Sequence, residues 1–446
     1  MPASTLFLCV NKKHYTIMKK TALFTLILWA FFFVSCNGDE AKPGKKNKLK
    51  GLSNQVILDW NQITLEALGG PTYQHSLLGA HIHAMTHIAM HDAINAISAD
   101  YQMYAFNGTD SQADPVAAAA SAAREVLAAS FPDKQSMLDE RFAQSVVGVK
   151  EGDSKTRGIA LGKQAAQAVL ALRANDGAFQ DPIGPVNNPQ EPGLYQVVPP
   201  FNFVFAPHWK TMKPFALESY DQFRSEPRPA LNSTAYAQAF EEVKSVGKLN
   251  STTRTAAQTF YAKFWYEFSE IGWNRVARSA LVTKKLDLLE TARLFALLNM
   301  ALADSYTAGW DSKFHYDFWR PFTAIRAAET DGNNATVADP TWEPLMPTPP
   351  VQDYPSTHSA LGNAGAAVLG EILGDKTSFT MTSTTSDPAN VTRSFKSFSQ
   401  AANENADSRV MVGIHFRFSC EAGQKLGDKV GNWTVKNHLL PLSAAK

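Results

Sequence analysis

Residues 288–321 read LLETARLFALLNMALADSYTAGWDSKFHYDFWRP. From Leu288 to Trp310, apolar residues recur at three- and four-residue spacing, which predicts a helix. Lys313 and Arg320 follow, seven residues apart, almost two helical turns. A continuous helix would therefore point both cations to one side, and Pro321 requires it to bend or end near Arg320. Taken alone, Lys-x6-Arg also fits a solvated charged face with Asp311 and Asp317 as ion-pair partners.

The same periodicity runs outward in both directions. It predicts helices over 76–97, 114–131, 134–147 and 154–172, and again over 235–246, 253–270, 276–282, 359–373 and 409–435. No sustained alternation of β-branched residues marks a strand. Prolines at 182, 185, 189, 192, 199, 200, 207, 214, 227 and 229 forbid long helices between Gly177 and Pro229. That stretch predicts a long connector that wraps the surface or rims a pocket, and 330–354 is a second irregular stretch. The expectation is an all-α protein of two helical bundles joined by the proline-rich connector. The expected units are 1–36 as a signal peptide, 37–52 as a linker, 53–228 as an N-terminal helical region with the connector, and 229–446 as a C-terminal bundle.

Composition narrows the function classes. The 446 residues are 45% hydrophobic, enough for a large core, and the net charge of +1 gives no basic field for nucleic acid. Lys19 and Lys20 precede an apolar run from Thr21 to Val34, too short to span a bilayer comfortably. The run ends at Phe33-Val34-Ser35-Cys36, which resembles a bacterial lipobox. The expectation is an exported protein starting at Met18, held at the periplasmic or cell surface by a lipid on Cys36. Cys420 would then be the single cysteine of the mature chain, which excludes a disulfide framework.

Two more polar motifs follow the first. Pro355-Ser356-Thr357-His358 lies between a proline-rich stretch and an Ala/Gly-rich helix, so its backbone N–H groups fall at a helix N-terminus, a natural anion site. The plainer alternative makes Ser356 an N-cap and His358 a surface imidazole. Ser408-Arg409-x5-His415 opens the last predicted helix, with Arg409 and His415 pointing about 120° apart. Together the motifs hold three cations, a hydroxyl and two imidazoles without an acid, a set that suits a multiply charged oxyanion.

In order and spacing, the three motifs resemble those of the vanadium-dependent haloperoxidases, which share their site with the acid phosphatases of the type 2 phosphatidic acid phosphatase superfamily. The likeness covers Lys313 to Ser419, and His87-Ile-Ala-Met-His91-Asp-Ala-Ile-Asn-Ala-Ile adds a weaker one to bacterial members. The resemblance implies vanadate as cofactor, with phosphate able to occupy the same site. It implies His415 as the axial ligand of vanadium, Lys313, Arg320 and Arg409 neutralising the oxygens, Ser356 and the Thr357 backbone N–H donating to them, and His358 as acid–base. Lys313 would also polarise the peroxide. Trp310 and Val351 fall where the family builds its halide pocket. The implied reaction uses hydrogen peroxide to oxidise halide, iodide or bromide favoured, with a small organic acceptor as a further partner.

Two readings compete with this one: a phosphatase in which His415 attacks phosphorus and His358 protonates the leaving group, and a non-catalytic oxyanion-binding surface lipoprotein. Two residues depart from the family pattern. Thr357 stands where it has Gly, and Ser419 where it has an Asp four residues after the axial His, with Glu421 the nearest replacement acid. Finally, His83, His87 and His91 share a helix face beside Asp92, a spacing that serves either zinc or packing; the Met/Ala/Ile-rich segment favours packing. Trp265-Tyr266 likewise is expected in the core.

Overall fold

The computed structural model describes residues 49–70 and 74–442. Residues 18–36, which carry the export and lipobox expectations, lie outside them. Among the described residues no helix is long and apolar enough to cross a membrane.

The chain is all-α as expected, with thirteen α-helices among the described residues. They are α1 (Gln55–Ala67), α2 (Ser76–Asn95), α3 (Pro115–Ser130), α4 (Gln135–Ser145), α5 (Asp153–Arg173), α6 (Thr234–Val246), α7 (Ala256–Phe264), α8 (Ser269–Ala280), α9 (Leu288–Tyr316), α10 (Pro321–Arg326), α11 (Thr357–Leu373), α12 (Phe398–Met411) and α13 (Arg417–Asn437). Two antiparallel pairs of very short strands, 183–184 with 204–205 and 379–381 with 393–395, are added by the loops. Side-chain caps start the helices where the sequence supplies them. Asp287 with Glu290 and Thr255 with Gln258 form capping boxes on α9 and α7.

Helices α2 and α9 organise the core. Every residue of α2 except Leu78 is buried, and on α9 only Glu290, Arg293 and the last three residues escape. A helix buried all round must be wrapped by others. α2 packs on α3, α5 and α9, while α9 also packs on α11 and α13. Close approach of α13 to α11 depends on glycine: a Cβ at Gly423 would overlap the Ser356 carbonyl and one at Gly427 the Ala360 carbonyl. This anchors the turn that opens α11.

Three expected elements are corrected. The helix carrying Lys313 does not reach Arg320: it stops at Asp317, whose backbone is left-handed (φ 43°), and Arg320 caps α10 with Pro321 as its first residue. The two cations therefore converge from different elements. The helix expected over 409–435 is two helices, so Arg409 ends α12 and His415 lies in the turn before α13. Gly413 makes that turn possible, with φ 83° and the Gly247 carbonyl where a Cβ would be. The break expected between 270 and 276 falls instead at 265–268. There Trp265 Nε1 donates to Glu404 (2.9 Å) and the Tyr266 hydroxyl to the Pro347 carbonyl (2.6 Å).

Candidate functional site

A cavity of about 500 Å³ opens where the connector, the 347–351 loop and the ends of α9, α11 and α12 meet. Its walls are apolar, with Phe201, Phe203 and Phe205 from the connector, Phe268, and Trp310 from α9. Arg320, Thr357, His358, Arg409 and His415 form its polar floor, and Val351 lines it as well. Lys313 and Ser356 are buried behind that floor.

The second half of α9 delivers Lys313, whose Nζ donates to the carbonyls of Gln352 (2.6 Å) and Asp353 (3.1 Å). Arg320 donates from Nε to Val351 O (2.7 Å) and from Nη1 to Ile414 O (2.8 Å). Arg409 donates from Nη1 to Trp265 O (2.7 Å), while its buried Nε has no partner. Each cation is thus aimed by backbone carbonyls, with N–H groups to spare. Ser356 is the N-cap of α11: its Oγ accepts from Ser359 N (3.3 Å) and Ser359 Oγ (3.0 Å), and its own proton is left for another acceptor. Thr357 and His358 are the first two residues of α11, at the positive end of its dipole.

Electrostatically the floor is crowded with positive charge. Burial, and then the neighbouring Arg320, hold Lys313 well below the usual lysine range. Burial likewise lowers Arg409 to about 10. His358 and His415 are both pushed well below 6.5, first by burial and then by the guanidinium groups, Arg409 for the former and Arg320 for the latter. Lys313, Arg320, Arg409 and His358 all act on His415, which shows that the three motifs meet in space. Both imidazoles are therefore neutral. Because Arg320 Nη1 must donate to His415 Nε2 (3.0 Å), that nitrogen is an acceptor and Nδ1 carries the proton.

The acid missing from the motifs comes from a residue that the sequence reading overlooked. Asp353 is wholly buried, its Oδ1 2.8 Å from His415 Nδ1 and 3.9 Å from Arg320 Nη1, and its Oδ2 accepts from Ser419 Oγ. Burial raises it to about 6, against the pull of Arg320. Glu421 is not the replacement; it faces a different pocket beside Phe223 and Lys425. The signal lay in Ser419 itself, since a serine in place of an acid called for another carboxylate near His415. Tyr266 was also misplaced: it lines the cavity under Arg409, whose guanidinium lies 5.4 Å from its ring centre, while Trp265 is core.

The other departure is accommodated sterically. Thr357 Cγ2 occupies the space a Cβ at position 309 would need, so Gly309 on α9 makes room for the branched side chain.

His83, His87 and His91 do share a buried face of α2, away from the cavity lining. His87 Nε2 meets Asn61 Nδ2 (2.9 Å), His91 Nδ1 meets Asp92 Oδ1 (3.0 Å), and the rings of His83 and His87 stack. Asp92 is itself occupied by the backbone N–H groups of Tyr104, Ala105 and Phe106. Among the described residues no group of three His, Cys, Asp or Glu side chains is set to hold a metal ion.

Known proteins share sequence and fold with this chain. Residues 293–441 match the model of the VCPO second helical-bundle domain, from α9 through α13. The chain is 27% identical to vanadium chloroperoxidase of Curvularia inaequalis, over 84% of its own length and 80% of the relative. The crystal structure of a bacterial vanadium-dependent iodoperoxidase superposes with a TM-score of 0.76 at 26% identity, covering 90% of this chain and all of that one. A holo-type bacterial vanadium-dependent chloroperoxidase shares the fold with a TM-score of 0.67 at 17% identity, over 86% and 97% of the two chains. In the α9–α13 region by sequence, and over most of the chain by fold, the protein is similar to the vanadium-dependent haloperoxidases.

Proposed function

We propose that this protein is a vanadate-dependent haloperoxidase that uses hydrogen peroxide to oxidise halide, iodide or bromide in preference, to hypohalous acid. One observation carries the reading. Lys313, Arg320 and Arg409 are buried around one cavity with a single carboxylate, Asp353, to offset them, and Arg409 Nε is an orphaned donor. Buried charge without compensation is costly, so the floor calls for a bound oxyanion.

Vanadate fits the donor set. His415 would hold it through Nε2, the lone pair now shared with Arg320. Lys313, Arg320, Arg409, the Ser356 hydroxyl and the Thr357 backbone N–H would hold its oxygens. Bound vanadate supplies an electrophilic centre at which hydrogen peroxide becomes reactive toward halide. His358, neutral and lining the cavity, would take up and return the protons of the peroxide. The aromatic walls shed water from an incoming halide, which favours the weakly hydrated iodide and bromide. The likeness to an iodoperoxidase supports the same preference. The run from Lys19 to Cys36 supports export and a lipid anchor.

The test loads the protein with orthovanadate, removes the excess, and follows peroxide-dependent oxidation of iodide and bromide. Turnover that requires vanadate and is lost in His415→Ala is the expected result. Phosphate-ester hydrolysis dependent on His415, with no halide oxidation, would replace the proposal with the phosphatase.

A further inference from the structure

We infer that Asp353 is the positioning residue of His415, an acid brought to the imidazole by the loop before α11 rather than by the helix that follows the histidine. The inference rests on the proposal that His415 is the vanadate ligand.

Asp353 is pinned on nearly every side. Its N–H donates to Phe318 O (2.9 Å), its carbonyl accepts from Lys313 Nζ (3.1 Å), and Oδ2 accepts from Ser419 Oγ. Oδ1 is the exception. It is buried and lies 2.8 Å from His415 Nδ1, yet the ring N–H is not aligned with it, so it lacks a formed hydrogen bond. A fixed acceptor this close to the protonated nitrogen needs only a turn of the imidazole to gain that bond. Arg320 Nη1 lies against the same ring, 3.0 Å from Nε2 and 3.5 Å from Nδ1. With Nδ1–H aligned on Oδ1, Nε2 is the nitrogen left to present its lone pair to an oxyanion. Asp353 thereby reinforces the tautomer that Arg320 also favours, sets the ring direction and raises the basicity of the ligating nitrogen, as carboxylates behind metal-bound histidines do.

Ser419 gives the arrangement its second half. It occupies the position from which the family pattern would supply the acid, and its hydroxyl is spent holding Asp353. The carboxylate has moved to the other partner of the same contact. The acid and the hydroxyl should therefore be exchangeable between positions 353 and 419.

The experiment uses the full chain. In vanadate-free protein, ¹⁵N shifts of the histidine ring nitrogens are assigned to His415 by their loss in His415→Ala. The expected signature is Nδ1–H with unprotonated Nε2; the reverse tautomer or a mixture would overturn the inference without any variant having to fold. Vanadate affinity is then measured by equilibrium dialysis. Asp353→Ser should weaken it by about 10- to 100-fold, the usual cost of removing such a partner, and the double exchange Asp353→Ser with Ser419→Asp should recover most of the loss. A single variant that keeps wild-type affinity and tautomer would sink the inference. So would a double variant as weak as the single. Wild-type protein that binds no vanadate would remove the proposed function, and the tautomer would still decide the role of Asp353.

Discussion

Two groups of histidines lie in the interior of this protein, and by spacing alone the α2 group looks more like a ligand set than the pair at the cavity. His83, His87 and His91 recur every four residues on one buried helix face, whereas His358 and His415 are 57 positions apart, at a helix start and in an interhelical turn. Burial acts on members of both groups alike: it lowers His83 to about 3, and it is the first cause that holds His87, His358 and His415 well below the usual value. What separates them is their company. The α2 histidines pack against Asn61, Asp92 and Phe295. The other pair faces a cavity and three cations whose charge the protein does not balance. A functional site is marked here by unmet electrostatic demand, and regular spacing marks a packed face.

Five measurements would break or sharpen that contrast. The largest effect is expected from His415→Ala: vanadate-dependent halide oxidation should fall by roughly 100-fold or more, with melting temperature little changed. Arg409→Ala follows, with a loss of about 100-fold in turnover, because its Nε is already free for the ligand. His87→Ala should do the opposite, costing about 2–4 kcal/mol of stability in a denaturant titration while the folded enzyme keeps its turnover; a selective loss of turnover would break the contrast. Gly309→Ala should cost about 1–3 kcal/mol by overpacking against Thr357, and Thr357→Gly in the same chain should relieve most of it.

The smallest effect concerns Glu270, which links the two regions. Its carboxyl accepts from the Tyr306 hydroxyl at the cavity wall (2.9 Å), and its backbone carbonyl accepts from Asn274 of the α2 network (2.8 Å). Burial raises its pKa from 4.5 to about 8. Between those values the unfolded chain has lost the proton and the folded chain has kept it, so this group makes stability decline as pH rises from 4.5 to 8. Glu270→Gln should flatten that decline. Melting curves at pH 5 and pH 8 that keep the wild-type difference would remove Glu270 as its source.

Much of this was legible in the chain. Apolar periodicity marked out most helices, because burial of one face imposes it on residues such as Leu288 to Trp310. The three motifs named the cations and histidines that meet at the cavity. Helix ends were less legible: the stops at Asp317 and Gly413 depend on left-handed backbone and on the nearness of Gly247, neither of which leaves a periodic trace. Asp353 was missed because it sits in an irregular loop, where nothing repeats and no spacing rule applies. Phe201, Phe203 and Phe205 belong to a connector whose prolines announced irregularity, and only its fold brings them over the floor.

The contact between Gly309 and Thr357 couples two positions on different helices. A side chain added at 309 would need the space that the Thr357 methyl group fills, so bulk can sit on one side of this contact only if the other side gives way. The residue that opens α11 at the cavity floor is thus permitted by the absence of a side chain on α9, and neither position can be redesigned alone.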